Sequence, residues 1–223
     1  MQNIWFTSDS HYGHANIVKG TTNWENPGSK VRNFDSLEEH NDTLVDNFNS
    51  LVKENDILYH LGDWSFGGHK NIEIFRSRLK CKSIHLIFGN HDQHITPVDS
   101  PYRHLFESCQ HYKEVSFKIP AAIAGKYGKT QIILSHYAMR VWNNSHHGSI
   151  MLYGHSHGTL DEFTPVTTNP TWIGDQYFIK NYRTMDVGVD THNLFPYHLD
   201  EIVDIMRHRE LSLEVDHHNQ NTN

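Results

Sequence analysis

A chain of 223 residues is long enough to bury one sizeable core, and it contains no apolar run that could span a membrane. Its net charge of −7 argues against a groove for a long polyanion, which relies on clustered Lys and Arg. The outlying feature is 20 histidines, against 19 lysines and arginines together. The two cysteines, Cys81 and Cys109, have no metal-binding spacing and read as reduced thiols. The first residues enter a strand-like segment with no basic-then-apolar leader, so a cytoplasmic protein is expected.

Asn3–Thr7 is the first predicted strand, and it runs into Ser8-Asp9-Ser10-His11-Tyr12-Gly13-His14. Asp9 and His11 are two positions apart, so in extended backbone they leave on one face and can grip one cation. The same pair also reads as a polar turn, with Asp9 capping a helix. Residues 19–33 carry Gly, Pro, Asn and Thr and predict a surface loop able to act as a lid. Asp35 with Glu38 predicts a helix start, and Leu37, Leu44, Val45, Phe48, Leu51 and Val52 form an apolar stripe that packs on a core.

Asp56–His60 is the next strand and ends in Leu61-Gly62-Asp63-Trp64; His60 reads as a core residue or a support for the ligands. A helix is expected over Asn71–Leu79, then a buried strand, Ile84–Phe88, followed by Gly89-Asn90-His91-Asp92. Helix and strand alternate here, which predicts parallel pairing. Further on, Val115–Ile119 and Gln131–Leu134 read as a hairpin around Gly125–Gly128, and the second strand leads to Ser135-His136-Tyr137. Ile150–Tyr153 leads to Gly154-His155-Ser156-His157-Gly158, whose H-x-H spacing puts both imidazoles on one side of an extended chain. An irregular excursion over Phe163–Asn181, a late strand over Thr184–Val189 and a last helix over Leu199–His208 follow. Residues 1–215 read as a single domain and residues 216–223 as a disordered tail.

Five strand ends thus offer three oxygen donors, Asp9, Asp63 and Asn90, and four imidazoles, His11, His136, His155 and His157. That mixture suits manganese, iron or zinc better than calcium, and seven ligands suffice for two ions if one carboxylate bridges.

Taken in order, Asp9-Ser10-His11, Gly62-Asp63, Gly89-Asn90-His91-Asp92, Ser135-His136 and Gly154-His155-Ser156-His157 resemble the signature blocks of the calcineurin-like metallophosphoesterase superfamily. The likeness is nearest to its small stand-alone bacterial and phage members. It implies an α/β fold, a four-layer αββα sandwich of two mixed sheets flanked by helices. It also implies a pair of divalent ions, manganese first, with iron, nickel or zinc as alternatives. One ion would take Asp9, His11, Asp63 and His157, and the other Asp63, Asn90, His136 and His155. The resemblance implies that two such ions, roughly 3.5–4 Å apart, would supply a shared hydroxide for in-line attack on phosphorus. His91 would protonate the departing oxygen.

Many members place a second Asp three residues after the first of the Gly-Asp block, where it supports the loop histidine. Here that position is Phe66, which leaves Asp92 or a backbone carbonyl to orient His91. His14 and Arg140 either contact a phosphate oxygen or face solvent, and Tyr12, Trp64, Tyr137 and Trp142 either stack on a base or pack beneath the site. The leading expectation is a phosphodiesterase of small, nucleotide-like esters, cyclic nucleotides included, with no membrane partner. A phosphomonoesterase or protein phosphatase, a manganese-dependent nuclease and a non-catalytic scaffold of the same fold are the alternatives.

Overall fold

The computed structural model describes residues 2–18, 31–119, 128–160 and 183–209. Residues 19–30 of the predicted 19–33 loop, all of the predicted excursion over residues 163–181 and the 216–223 tail fall outside these residues. Among the described residues, nine strands form two mixed sheets. In the first, β1 (Ile4–Thr7), β2 (Ile57–His60), β3 (Ser83–Ile87) and β4 (Ser108–Gln110) pair in parallel, and β9 (Tyr197–His198) adds antiparallel beside β1. In the second, β5 (Tyr112–Phe117) and β6 (Thr130–Ser135) form the expected antiparallel pair, and β7 (Ile150–Tyr153) and β8 (Thr184–Asp186) follow in parallel.

Strand alternation explains the layering. Trp5, Leu58, Ile84 and Leu86 face α1 (Leu37–Leu51) and α2 (His69–Arg78), where they pack on Leu44, Phe48, Ile72 and Phe75. Phe6, Tyr59 and Ile87 point the other way and meet Ile132, Leu134, Ile150 and Leu152 of the second sheet. Ile202, Val203 and Met206 of α3 (Leu199–Arg207) close this inter-sheet core. Because both faces are covered, these strands read as nearly continuous apolar runs. On the far side of the second sheet, Ile133, Met151 and Tyr153 pack with Trp142.

Helix α1 starts one residue later than expected. Ser36 caps it, accepting the Glu39 N–H at 3.1 Å, while the Asp35 N–H donates to the Glu39 carboxylate at 3.2 Å. Asp35 and Ser36 are both competent caps, and the sequence alone does not rank them. Both cysteines are free thiols, as expected. Among the described residues no helix is long and apolar enough to cross a membrane.

Candidate metal centre

β1, β2, β3, β6 and β7 all end at the same edge of the sandwich, and the polar blocks follow directly. This is where open parallel sheets place their chemistry. The loops after β1 and β2 run side by side, with Asp9 N–H on the Gly62 carbonyl and His11 N–H on the Asp63 carbonyl, each at 2.9 Å. The loop after β7 is tied in through the His155 N–H, which donates to the Asp9 carboxylate at 2.9 and 3.0 Å.

The side chains come together, although not by extended alternation. Asp9 (φ 57°), His11 (46°), Asp63 (56°), His155 (67°) and His157 (49°) all sit in the left-handed region. Each such non-glycine residue costs on the order of 1–2 kcal/mol, and such strain concentrates at functional sites.

Three groups offer ligand atoms within 4.8 Å of one another: Asp9, His11 and His157; Asp63, His136 and His155; and His11, Asp63 and His91. Asn90 joins the second, its Oδ1 lying 3.1 Å from His136 Nε2.

Charge and orientation fit divalent ions. Asp9 is held well above the usual carboxylate range by burial and by the charges of Asp186, Asp63 and Asp190, a crowding that bound cations relieve. His11 is fully buried, and neither ring nitrogen has a hydrogen-bond partner, though Nε2 faces Asp63 Oδ2 at 3.4 Å. Burial, then His157 and Arg32, push its pKa well down, so its ring is neutral with a lone pair to give. Burial likewise lowers the pKa of His136, whose Nδ1–H donates to the Leu61 carbonyl at 2.7 Å and so turns Nε2 toward Asn90 and Asp63. His157 Nδ1 is 2.6 Å from Asp190 Oδ2.

Two glycines are dictated by close approach. A Cβ on Gly89 would lie 2.2 Å from Asp63 Oδ1, and one on Gly154 2.0 Å from Ser8 Oγ and 2.6 Å from Asp9 Oδ2.

Asp92 departs from expectation. Its oxygens accept the backbone N–H groups of Asp63 (2.9 Å), Trp64 (3.0 Å) and Gly89 (2.7 Å), so it staples the β2 and β3 loops instead of orienting the His91 ring. Its observed contacts are those of a positioning residue. Burial pushes its carboxyl up to about 6 even against these three donors, which favour the charged form. The His91 N–H donates to Asp63 Oδ1 at 2.9 Å, and the edge of its ring meets Phe66 at 5.3 Å.

Of the other expected residues, His14 reaches the centre. Its ring is 5.5 Å from His11 and stacks on Phe66 at 3.9 Å. Burial and the neighbouring His91 lower its pKa to about 4. Arg140 is exposed on the loop that follows β6. Tyr12, Trp64 and Trp142 are buried and serve as packing, while Tyr137 is exposed with its hydroxyl 3.4 Å from Asn90 Oδ1.

The sequence reading missed three residues. Arg32 is completely buried, forks onto Asp190 with two 2.7 Å bonds, and donates to the carbonyls of Asp9 (2.6 Å) and Ser10 (3.3 Å). Burial would raise the carboxyl of Asp190, but Arg32 and His157 overcome it and hold Asp190 below the usual range. Asp186 accepts Ser156 Oγ and the N–H groups of Gly158 and Gly188 at 2.5–2.9 Å, shaping the loop that carries His155 and His157.

The chain is 28% identical over 228 residues to the Gene 66 protein of Mycobacterium phage D29, covering 96% of this chain and all of that protein. It is 29% identical over 230 residues to the Gene 66 protein of Mycobacterium phage L5, covering 93% and 96%. Among solved structures it resembles the protein of unknown function AQ665 from Aquifex aeolicus, with a TM-score of 0.55 and 18% identity over 92% of this chain and all of that one, which shows a shared fold. Residues 3–170 match the model of the calcineurin-like phosphoesterase superfamily domain. The chain therefore belongs to the calcineurin-like phosphoesterase superfamily, whose chemistry is metal-dependent hydrolysis of phosphoesters.

Proposed function

We propose that this chain is a two-cation phosphodiesterase acting on small, nucleotide-like esters, cyclic nucleotides included. The observation that carries the reading is Asp63, which stands both in a group with His11 and in a group with His136 and His155. One ion is assigned to Asp9, His11, Asp63 and His157, the other to Asp63, Asn90, His136 and His155, with Asp63 in common. When bound, such a pair neutralises charge on the phosphoryl oxygens and lowers the pKa of water at the site. Mixed imidazole and oxygen donors suit manganese, then iron, nickel or zinc.

The chain's own groups do the rest. Asp190 and the Leu61 carbonyl fix the rings of His157 and His136 in the orientation ligation needs. His91 gives its proton to the departing ester oxygen, a role supported by its position beside His11 and Asp63. His14 and Arg140 are assigned to non-bridging phosphate oxygens. Free thiols fit a reducing, cytoplasmic setting.

Metal-stripped protein, reloaded in turn with Mn²⁺, Ni²⁺, Fe²⁺ and Zn²⁺, tests the reading. Turnover of a bis-aryl phosphodiester and of at least one nucleotide diester should exceed that of the aryl monoester. Faster monoester turnover, or cleavage of single-stranded DNA with no small-diester turnover, would refute it.

A further inference from the structure

A pocket of about 220 Å³ opens beside His91, lined by Ser65, Phe66 and Gly68 from the loop after β2 and by Gln93, His94 and Ile95 from the loop after β3. It lies on the His91 side of the centre. In an in-line displacement the leaving group departs opposite the attacking oxygen, on the side of the general acid. With His91 as the acid, a group seated in this pocket is placed to depart.

Phe66 is its aromatic wall. It is one of five exposed large apolar side chains among the described residues, at 38% exposure. One face stacks on His14 and its edge meets His91, and the remaining surface lines the pocket. Gln93 and His94, residues with hydrogen-bonding side chains, also line it, and a Cβ at Gly68 would meet nothing within 4 Å, so there is open space on that side. The walls are preorganised, because Asp92 staples the two loops through backbone groups on both.

We infer that this pocket is the leaving-group subsite, and that it takes a nucleoside whose base lies on Phe66. The inference rests on the phosphodiesterase reading and names its product. The P–O bond to the nucleoside oxygen breaks and that oxygen takes the His91 proton. Water supplies the new P–O bond, so an open-chain diester leaves as a nucleoside and a phosphomonoester, and a cyclic nucleotide leaves as a single nucleotide whose freed hydroxyl carries the His91 proton. The residue that replaces the family's second Asp thus sets specificity.

Two measurements on metal-loaded protein test it. Adenosine, titrated calorimetrically, should bind wild type and Phe66→Tyr but bind Phe66→Leu about tenfold more weakly, the lower part of the range for loss of one base–aromatic stack. Ribose should not bind. In kinetics, the kcat/KM preference for a nucleosidyl over a methyl leaving group should fall about tenfold in Phe66→Leu and be kept in Phe66→Tyr. Absence of adenosine binding to wild type, or equal effects of Phe66→Leu on both esters, overturns the subsite. Phe66-dependent adenosine binding by a protein that turns over no diester supports the subsite while refuting the phosphodiesterase reading.

Discussion

Arg32→Met offers the sharpest test of how the centre is held. Arg32 is fully buried and is joined to Asp190 by two 2.7 Å bonds, and Asp190 in turn holds His157 at 2.6 Å. Methionine keeps much of the stem's volume but leaves the Asp190 carboxylate inside the protein without its guanidinium. Removing one partner of a buried pair costs about 3–5 kcal/mol, a large share of a typical 5–15 kcal/mol total. Urea unfolding of metal-free protein should show that loss as a lower midpoint at unchanged slope. The double variant Arg32→Met, Asp190→Leu carries no stranded charge and should recover part of it. The pH sign follows from Asp190, whose folded pKa is depressed. Its contribution is present above the ordinary carboxylate pKa and is lost as pH falls through the folded value, so the acid side of the wild-type stability profile should flatten in the variant. With Asp190 no longer fixed by the guanidinium, its hold on the His157 ring loosens, and metal affinity should drop by about 10–100-fold. A loss under about 1 kcal/mol, or a double variant worse than the sum of its singles, would refute the argument.

Gly89→Ala places a methyl carbon 2.2 Å from Asp63 Oδ1, too close to keep that carboxylate in place, and should reduce the bound metal measured by elemental analysis below two ions per chain. His91→Ala should lower kcat on diesters by about 10²–10⁴-fold with metal content unchanged, and wild-type turnover would remove the acid role. His60 accepts the Gly62 N–H on Nδ1 and lies 2.7 Å from Ser10 Oγ through Nε2, and burial lowers its pKa to about 3. Unfolded chains protonate this imidazole from about pH 6.5 downward while the folded protein does not, so between roughly pH 6.5 and 3 it makes stability fall as the pH falls. His60→Gln should remove about 1.4 kcal/mol per pH unit from that slope, read by urea unfolding at pH 7, 6 and 5. His155→Gly relieves a left-handed backbone under an exposed side chain and should raise metal-free stability by up to about 1 kcal/mol while weakening metal binding.

The convergence of Asp9, His11, Asp63, Asn90, His136, His155 and His157 was legible because chemically distinct residues recur at strand ends, and parallel strands bring those ends to one edge. The local reason was not legible: the pairs share a site through left-handed turns and not through period-two alternation. Arg32 lay hidden in a stretch that composition marks as surface loop, and its partner Asp190 is 158 positions away, beyond any local pattern. Asp190 did carry a signal, since a strand, Gly188 and a carboxylate repeat the form of the Gly62-Asp63 block. Burial separates the four candidate aromatics, and burial is a tertiary property, so Trp64 and Tyr137 look alike in sequence yet lie on opposite sides of the surface.

The five candidate ligand positions with positive φ have a further bearing on how this chain can change. At each of them glycine is the residue the polypeptide would choose if folding were the only demand. A lineage released from catalysis should therefore drift toward glycine or asparagine at those places first, gaining robustness as it falls silent. Retained aspartate and histidine at all five, in any relative, would mark a protein still under selection to turn over its substrate.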